Sequence, residues 1–172
     1  MAHDMEKLVS EIVKQVMGGE SSDVKSSPAT VKNTMTKMTL EAAKKTIEAV
    51  EKKAKEMGVK AVTAISDAGG NPIAVESMDD AFIASFDIAV NKAFTVVSLK
   101  MPTKNLATLA APGGSLYGIQ FTNNGKIIIF GGGEPLTNKD GTILGGLGVS
   151  GGTAEQDTLL GEYGKAFFES LN

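Results

Sequence analysis

The chain has 172 residues but contains no cysteine, no tryptophan and no arginine, and its one histidine is His3. The absence of cysteine excludes disulfides, thiolate catalysis, zinc–thiolate sites and iron–sulfur clusters. Because all 17 cationic side chains are lysines, bidentate guanidinium contacts to phosphate or carboxylate are excluded as well. One histidine close to the chain start excludes a serine–histidine triad or a histidine metal cage elsewhere in the chain.

A strongly basic charge and a long apolar run are also missing. The 20 acidic residues outnumber the lysines and give a net charge of −3, which does not attract nucleic acid or anionic lipid. No apolar run approaches the roughly 20 residues of a membrane span, and charged residues interrupt the N-terminal segment where a secretory signal would be apolar. The sequence therefore predicts a cytoplasmic protein with neither a nucleic-acid nor a membrane partner.

Residues 1–19 predict an amphipathic helix that is detached from the rest of the chain. Its apolar residues form one stripe of a helix: Met5, Leu8, Val9, Ile12, Val13 and Val16. Residues 20–38 are polar and predict a flexible linker. Because a lone helix cannot bury its own apolar stripe, residues 4–17 are expected to dock on a partner protein, with docking on their own domain as the alternative. The polar face mixes acids with lysines, which disfavours a membrane surface.

Residues 39–172 predict one domain of the α+β class. Thr39 is placed to cap a helix that ends at Gly58. Segments 59–66 and 73–78 flank a turn rich in Asp, Gly and Asn, which is typical of an antiparallel hairpin.

A second long helix is predicted after this hairpin, with Asp79 or Asp80 as its cap. A short helix at 103–109 follows it. The predicted apolar face of the long helix consists of Phe82, Phe86, Ala89, Ala93 and Val97.

The remaining strands are predicted in the second half of the domain. Segments 116–122 and 126–130 surround an Asn-Asn-Gly turn, and segment 142–150 is the last strand. The final helix opens with a capping box from Thr153 to Gln156. The whole pattern predicts a five-stranded antiparallel sheet with helices packed on it.

Glycine is concentrated in one part of the chain, since 13 of the 20 glycines lie between Gly113 and Gly152. The segment 146–151 matches G-x-G-x-x-G, but a dinucleotide-binding fold is excluded because only 21 residues follow Gly151, too few for another helix and strand. Two interpretations remain. The glycines permit close packing of strands, helices or subunits, which the sequence slightly favours, or they form a side-chain-free wall for a flat ligand.

Four polar residues stand out in this domain. Asp67 is expected to brace its own turn. Asp87 and Lys92 lie within an apolar helix, and one of them is expected to reach a buried partner or a pocket. Tyr117, between Gly-rich stretches, is either a hydrogen-bonded half-buried tyrosine or a ligand contact.

Six motifs in this order resemble the GlcG/HbpS-like haem-binding family, and most closely the C-terminal domain of PduO proteins. The motifs are Ser66-Asp67-Ala68-Gly69-Gly70, Met78-Asp79-Asp80-Ala81-Phe82, Asp87-Ile88-Ala89 with Asn91-Lys92-Ala93, Pro112-Gly113-Gly114 with Leu116-Tyr117-Gly118, Phe130-Gly131-Gly132-Gly133, and the run from Gly148 to Thr153 with Glu155-Gln156-Asp157. The resemblance implies a profilin-like α+β fold, homo-oligomers, and binding of haem or a corrinoid.

The same resemblance implies a place in a bacterial microcompartment. The N-terminal helix is similar to an encapsulation peptide, so shell or cargo proteins are its expected partners. The adenosyltransferase activity of full-length PduO proteins belongs to another domain, which the residues before Thr39 are too few to form. No catalytic residues are therefore predicted, and a ligand-free scaffold or a cofactor-processing enzyme are the alternative functions.

The cofactor contacts predicted within the family motifs and Gly-rich loops are Asp67, Lys92, Lys104, Gly113, Gly114 and Tyr117. The sequence departs from the family where relatives carry histidine, since Asn71 and Lys104 stand at these positions. A histidine-ligated haem iron would therefore need His3, from the N-terminal segment or from another subunit. Tyrosine, lysine or methionine ligands are the alternatives.

Overall fold

The computed structural model describes residues 35–171. Four α-helices lie in this part of the chain: α1 (Leu40–Glu56), α2 (Ile83–Leu99), α3 (Thr103–Ala110) and α4 (Ala154–Ser170). Four strands accompany them: β1 (Val62–Asp67), β2 (Pro72–Ser77), β3 (Gly133–Thr137) and β4 (Ile143–Ser150). Short 3₁₀ turns at Ile119–Phe121 and Asn123–Gly125 interrupt the long connection between α3 and β3.

The strands form one antiparallel sheet in the order β2-β1-β4-β3. Helix α2 packs on one face of this sheet, and α1 and α4 pack side by side on the other. The α+β class and the antiparallel sheet are confirmed, although the described sheet has four strands rather than five.

The larger apolar core lies between the sheet and the α1–α4 pair. It contains Ile47 and Val50 from α1, Leu147 from β4, and Leu160 and Phe168 from α4, all with 0% exposure. The local signals that predicted these two helices are confirmed. Thr39 accepts a hydrogen bond from the Ala42 amide. A reciprocal capping box joins Thr153 and Gln156.

On the other face of the sheet, the backbone of α2 lies very close to β4 because β4 presents glycines to this helix. A Cβ atom at Gly146 would lie 2.2 Å from the Ala93 carbonyl oxygen, and one at Gly148 would lie 2.0 Å from the Ala89 carbonyl oxygen. The close-packing interpretation of these glycines is therefore confirmed.

The apolar face predicted for α2 is wrong at its start, since Phe82 is 71% exposed and Phe86 is 49% exposed. A helix that approaches a glycine-backed strand this closely has room only for small side chains beneath it. The residues that α2 buries at its N-terminal half are accordingly Ser85 and Ala89.

The predicted cap of α2 is also wrong. Phe82 occupies the N-cap position and makes no side-chain capping bond. Asp80 adopts a left-handed conformation (φ 61°) and pairs with Lys60 at 2.7 Å, so its carboxylate is engaged outside the helix.

The two strands predicted at 116–122 and 126–130 are absent from the described sheet, which accounts for the lower strand count. Gly118 turns into the left-handed region (φ 90°) and starts a 3₁₀ turn instead. The Thr95 hydroxyl of α2 then bonds the Lys126 carbonyl and the Ile128 amide, so this backbone is satisfied by a helix side chain.

The predicted targeting helix at 1–19 and most of the predicted linker lie outside the described residues. At the end of the linker, Met38 packs into the core with 6% exposure, and the Met35 carbonyl accepts a bond from the Asn138 amide group. Within residues 35–171, none of the helices is long and apolar enough to cross a bilayer.

Candidate functional site

An open groove of about 460 Å³ lies near the start of β3, between α3 and α4. Helix α3 and the segment before β3 form one side of it, and the first two turns of α4 form the other. Its lining consists of Lys104, Ala107, Phe130, Gly131, Ala154, Glu155, Thr158 and Leu159. The wall is mostly apolar, with one cation at its rim.

Two backbone features hold the segment at 130–133 against the helices. The Gly133 amide donates to the Thr103 hydroxyl at 2.8 Å, which fixes the start of α3 beside β3. A Cβ atom at Gly131 would lie 2.0 Å from Thr158 Oγ1, so only glycine allows the segment to approach α4 this closely. The groove therefore depends on a side-chain-free backbone at its floor.

A buried ion pair lies directly beneath this floor. Lys92 Nζ donates to Asp157 Oδ2 at 2.8 Å and to the Val149 carbonyl oxygen at 2.6 Å. Both side chains are almost inaccessible, with exposures of 0% and 4%. Burial lowers the pKa of the Lys92 ammonium, and the neighbouring Asp157 carboxylate opposes that shift.

A second group of charges surrounds the rim at Lys104. Its ammonium pairs with the Glu162 carboxylate, and this bond raises the pKa of Lys104. Glu134, on β3, is buried with Lys165 at 3.8 Å, and its burial raises the pKa of that carboxyl despite the two lysines nearby. Lys104 is thus a solvent-accessible cation in the groove lining, and it is paired with the exposed carboxylate of Glu162.

Apolar side chains remain uncovered around the groove. Phe130 is 39% exposed and Leu159 is 58% exposed. Other exposed large side chains lie at the start of α2 and on the connection after α3: Phe82, Ile83, Phe86, Tyr117 and Phe121. Of these exposed side chains, Phe130 and Leu159 line the groove.

A model of the family described as haem degrading protein HbpS-like matches residues 38–165 of this chain. The chain belongs to the HbpS-like family. The resemblance carried by the six sequence motifs is therefore confirmed, including its closeness to the PduO C-terminal domain.

Named relatives and a solved structure agree with this membership. An uncharacterized 15.0 kDa protein from the dhaT-dhaS intergenic region of Citrobacter freundii is 48% identical over 134 residues, which are 78% of this chain and 94% of that protein. The corrinoid adenosyltransferase PduO of Citrobacter freundii is 41% identical over 110 residues, which are 64% of this chain but 32% of that enzyme. A crystal structure of a PduOC:heme complex has a TM-score of 0.72 and 35% identity, covering 76% of this chain and 94% of that one.

The site residues predicted from the sequence fall into three places in this HbpS-like domain. Lys104 lines the groove, and Lys92 lies beneath it without reaching the surface. Gly113 and Gly114 form the turn after α3, where a Cβ atom at Gly114 would lie 2.2 Å from the Leu109 carbonyl oxygen. Tyr117 follows this turn and is 66% exposed.

Asp67 lies away from the groove, at the end of β1 that pairs with the start of β4. Its Oδ1 atom accepts hydrogen bonds from the Gly69 and Asn71 amides, and its side chain also bonds the Asn71 side chain. These bonds lower the pKa of Asp67. The structure therefore shows Asp67 bracing its own turn, as the sequence indicated, and does not bring it to the groove.

Sequence reasoning missed Phe130, Leu159 and Asp157 as parts of one site. Asp157 occurs in a family motif near the start of the last helix, and nothing local signals that it meets a lysine 65 positions away. Phe130 occurs in a family motif, but its exposure depends on how α3 and α4 surround it.

The groove has a mostly apolar wall, Gly131 leaves part of that wall without a side chain, and both Lys104 and Glu155 lie among its lining residues. Residues 35–171 contain neither histidine nor cysteine and show no cluster of acidic residues that could hold a metal ion. Tyrosine, lysine and methionine are therefore the donors that this part of the chain offers to a haem iron.

Proposed function

We propose that this protein binds haem in the groove between α3 and α4 and serves as an accessory protein of a bacterial microcompartment. The observation that carries the proposal is the exposed apolar wall of Phe130 and Leu159 with Lys104 at its rim. Membership of the HbpS-like family and likeness to a PduOC:heme complex support it.

In this proposal the chain binds the macrocycle through its apolar wall and its rim lysine. Phe130, Leu159 and Ala107 contact the ring, which removes their apolar surface from water. Lys104, an exposed lysine paired with Glu162 in the free chain, would exchange that partner for a haem carboxylate. Tyr117 follows the turn after α3 and does not line the groove, so its proposed role as an oxygen ligand of the iron rests on the sequence motif alone. Bound haem would supply a redox-active iron, as it does in other haem proteins.

The microcompartment part of the proposal rests on the relatives and on the N-terminal segment. The PduO relationship favours a microcompartment, and the apolar stripe at 4–17 favours docking on shell or cargo proteins.

We propose that the folded domain forms homo-oligomers that cover further exposed apolar side chains, Phe82 and Ile83 among them. A corrinoid is the second tetrapyrrole that this groove is proposed to accept.

Titration of haemin into the full chain tests the ligand. We expect a shifted Soret band that saturates at one haem per chain. Lys104→Ala should weaken binding about fivefold, the effect of one exposed charge pair of roughly 1 kcal/mol. Lys139→Ala is the matched control, because Lys139 is an exposed lysine on the β3–β4 turn at the other end of the sheet.

The iron ligand is tested in the same titration. Tyr117→Phe should move the Soret band and remove the charge-transfer absorption of a phenolate ligand, whereas Tyr163→Phe on α4 should not. An unshifted haemin spectrum with stoichiometric protein would overturn the haem proposal and favour the ligand-free scaffold. A parallel titration with cobalamin distinguishes a corrinoid from haem as the preferred ligand.

A further inference from the structure

Lys92 is a lysine whose side chain is fully buried, at 0% exposure, and it does not line the groove. Its ammonium lies 4.9 Å from the centroid of the Phe130 ring, on the side of the ring that faces the interior. We propose that Lys92 is a positioning residue, which fixes the Phe130 ring and the start of α4 as the two walls of the groove. The role in ligand binding rests on the proposed function; the positioning itself does not.

The ion pair connects two helices that lie on opposite faces of the sheet. Lys92 comes from α2 on one face of the sheet, whereas Asp157 belongs to the first turn of α4 on the other face. Asp157 Oδ1 also accepts the Gly152 amide at 2.9 Å, which ties the loop before α4 to the same carboxylate. One buried cation thus sets how α4 begins relative to α2.

The backbone at Gly132 passes directly over the Lys92 ammonium. At Gly132 (φ 108°) a Cβ atom would lie 2.7 Å from Lys92 Nζ and 2.8 Å from Asp157 Cβ. The Gly132 carbonyl accepts the Val149 amide at 2.9 Å, so the segment after Phe130 is fastened to β4. The chain therefore lies in direct contact with the ion pair, and the Phe130 ring covers its outer side.

A buried ion pair of this kind contributes more to specific geometry than to stability. Removing two charges from water is costly, and apolar residues of similar volume often stabilise a fold equally well. An ammonium against an aromatic face interacts more strongly when water is excluded, and here the Lys92 side chain is 0% exposed while Phe130 is 39% exposed. The ion pair is therefore suited to fixing the geometry of a half-exposed ring, a task that apolar packing performs less specifically.

Fluorescence can measure the position of this ring without any ligand, because the chain contains no tryptophan. Phe130→Trp introduces a single indole at the groove wall, and acrylamide quenching reports how freely it meets solvent. In this background we expect Lys92→Met with Asp157→Asn to increase the quenching constant by about twofold, since the cation that holds the ring is gone. The double change removes both charges together, which avoids leaving one of them buried alone, and asparagine retains an acceptor for Gly152.

Lys126→Met in the same background is the matched control. Lys126 also places its ammonium near an aromatic ring, but that ring is Phe94, at 5.4 Å. Its change should leave the quenching constant unaltered. Unchanged quenching in the folded double variant would overturn the proposal. Failure of that variant to fold, judged by circular dichroism, would also overturn it, since the pair would then be required for folding rather than for positioning.

A haem titration extends the test to the groove. If Lys92 acts through Phe130, then Phe130→Leu and the Lys92→Met with Asp157→Asn change should each weaken haem binding, and combining them should add little further loss. Additive losses would overturn the link between the two residues. Absence of haem binding in the unmodified chain would count against the proposed function alone, because the quenching result does not depend on haem.

Discussion

Asp157 and Glu134 are buried carboxylates that differ in how closely a cation or a hydrogen-bond donor approaches the carboxylate charge. Asp157 lies 2.8 Å from an ammonium and accepts a backbone amide, so its charge is matched where it is buried. Glu134 has Lys165 at 3.8 Å and Lys104 as a second nearby cation, and burial still raises the pKa of its carboxyl in the folded chain. The distinction follows from position: Asp157 faces the buried end of Lys92, whereas Glu134 faces lysines that remain half in water.

Glu134 therefore provides a prediction with a definite pH dependence. A raised pKa means that the folded chain prefers the protonated carboxyl, so its favourable contribution is fully present below the unfolded value, about pH 4, and is lost as pH rises through the folded pKa. Glu134→Gln should consequently raise the melting temperature at pH 7 to 8 and change it little at pH 3 to 4. Thermal unfolding across this pH range measures the effect.

The control for that series is Glu48→Gln, a change at an exposed glutamate of α1. It should shift the melting temperature little at any pH. A melting temperature of the Glu134 variant that falls at neutral pH would contradict the prediction and show that Lys165 and Lys104 compensate the carboxylate in full.

At the scale of single elements, local sequence patterns predicted the helix starts correctly, because the capping hydrogen bonds join residues that are close in the sequence. The caps at Thr39 and Thr153 depend on residues three positions away, and both are present as predicted. The segment 116–130 failed for the opposite reason. Its Asn-Asn-Gly run does turn, but its backbone is satisfied by Thr95, more than 20 positions earlier in the chain. No local pattern could reveal that partner.

The contact of α2 with β4 shows a second limit of local patterns. Apolar periodicity selected Phe82 and Phe86 for the core, yet the strand beneath α2 contributes glycines and leaves no room for large side chains. Glycine concentration was a visible signal in the sequence. Its meaning depended on which helix would lie against it, which only the tertiary arrangement supplies.

Gly148→Ala tests this close contact directly. The new methyl would lie 2.0 Å from the Ala89 carbonyl oxygen, so helix and strand must separate, and we expect a loss of about 3 kcal/mol or more in the free energy of unfolding. Gly113→Ala is the comparison. That residue has open space but a φ of +84°, so only backbone strain of about 1 to 2 kcal/mol is expected.

Urea denaturation of both variants measures the two losses. A loss at Gly148 no larger than that at Gly113 would show that α2 can move away from β4 at little cost. The glycines of β4 would then not be required for close packing.

At the scale of the whole molecule, family motifs predicted the fold well and the site poorly. They identified the antiparallel α+β domain and the HbpS-like family, because the motifs recur in order along the chain. The groove instead combines α3, the segment before β3 and α4, and its floor rests on a lysine from α2. Such a site is defined by packing across four elements, so only Lys104 of the predicted contacts lines it.

The proposed division between a docking segment and a folded ligand-binding domain gives the last prediction. Residues 1–19, fused to a fluorescent protein and produced together with microcompartment shell proteins, should concentrate the fluorescence in discrete foci. Leu8→Glu with Ile12→Glu should abolish the foci, because burying two carboxylates in an apolar contact is unfavourable. Ser10→Glu with Gln15→Glu adds the same charge on the polar face and should preserve them. Loss of foci in both variants would show that net charge rather than the apolar stripe determines docking. Foci in both variants would show that the apolar stripe is not the docking surface.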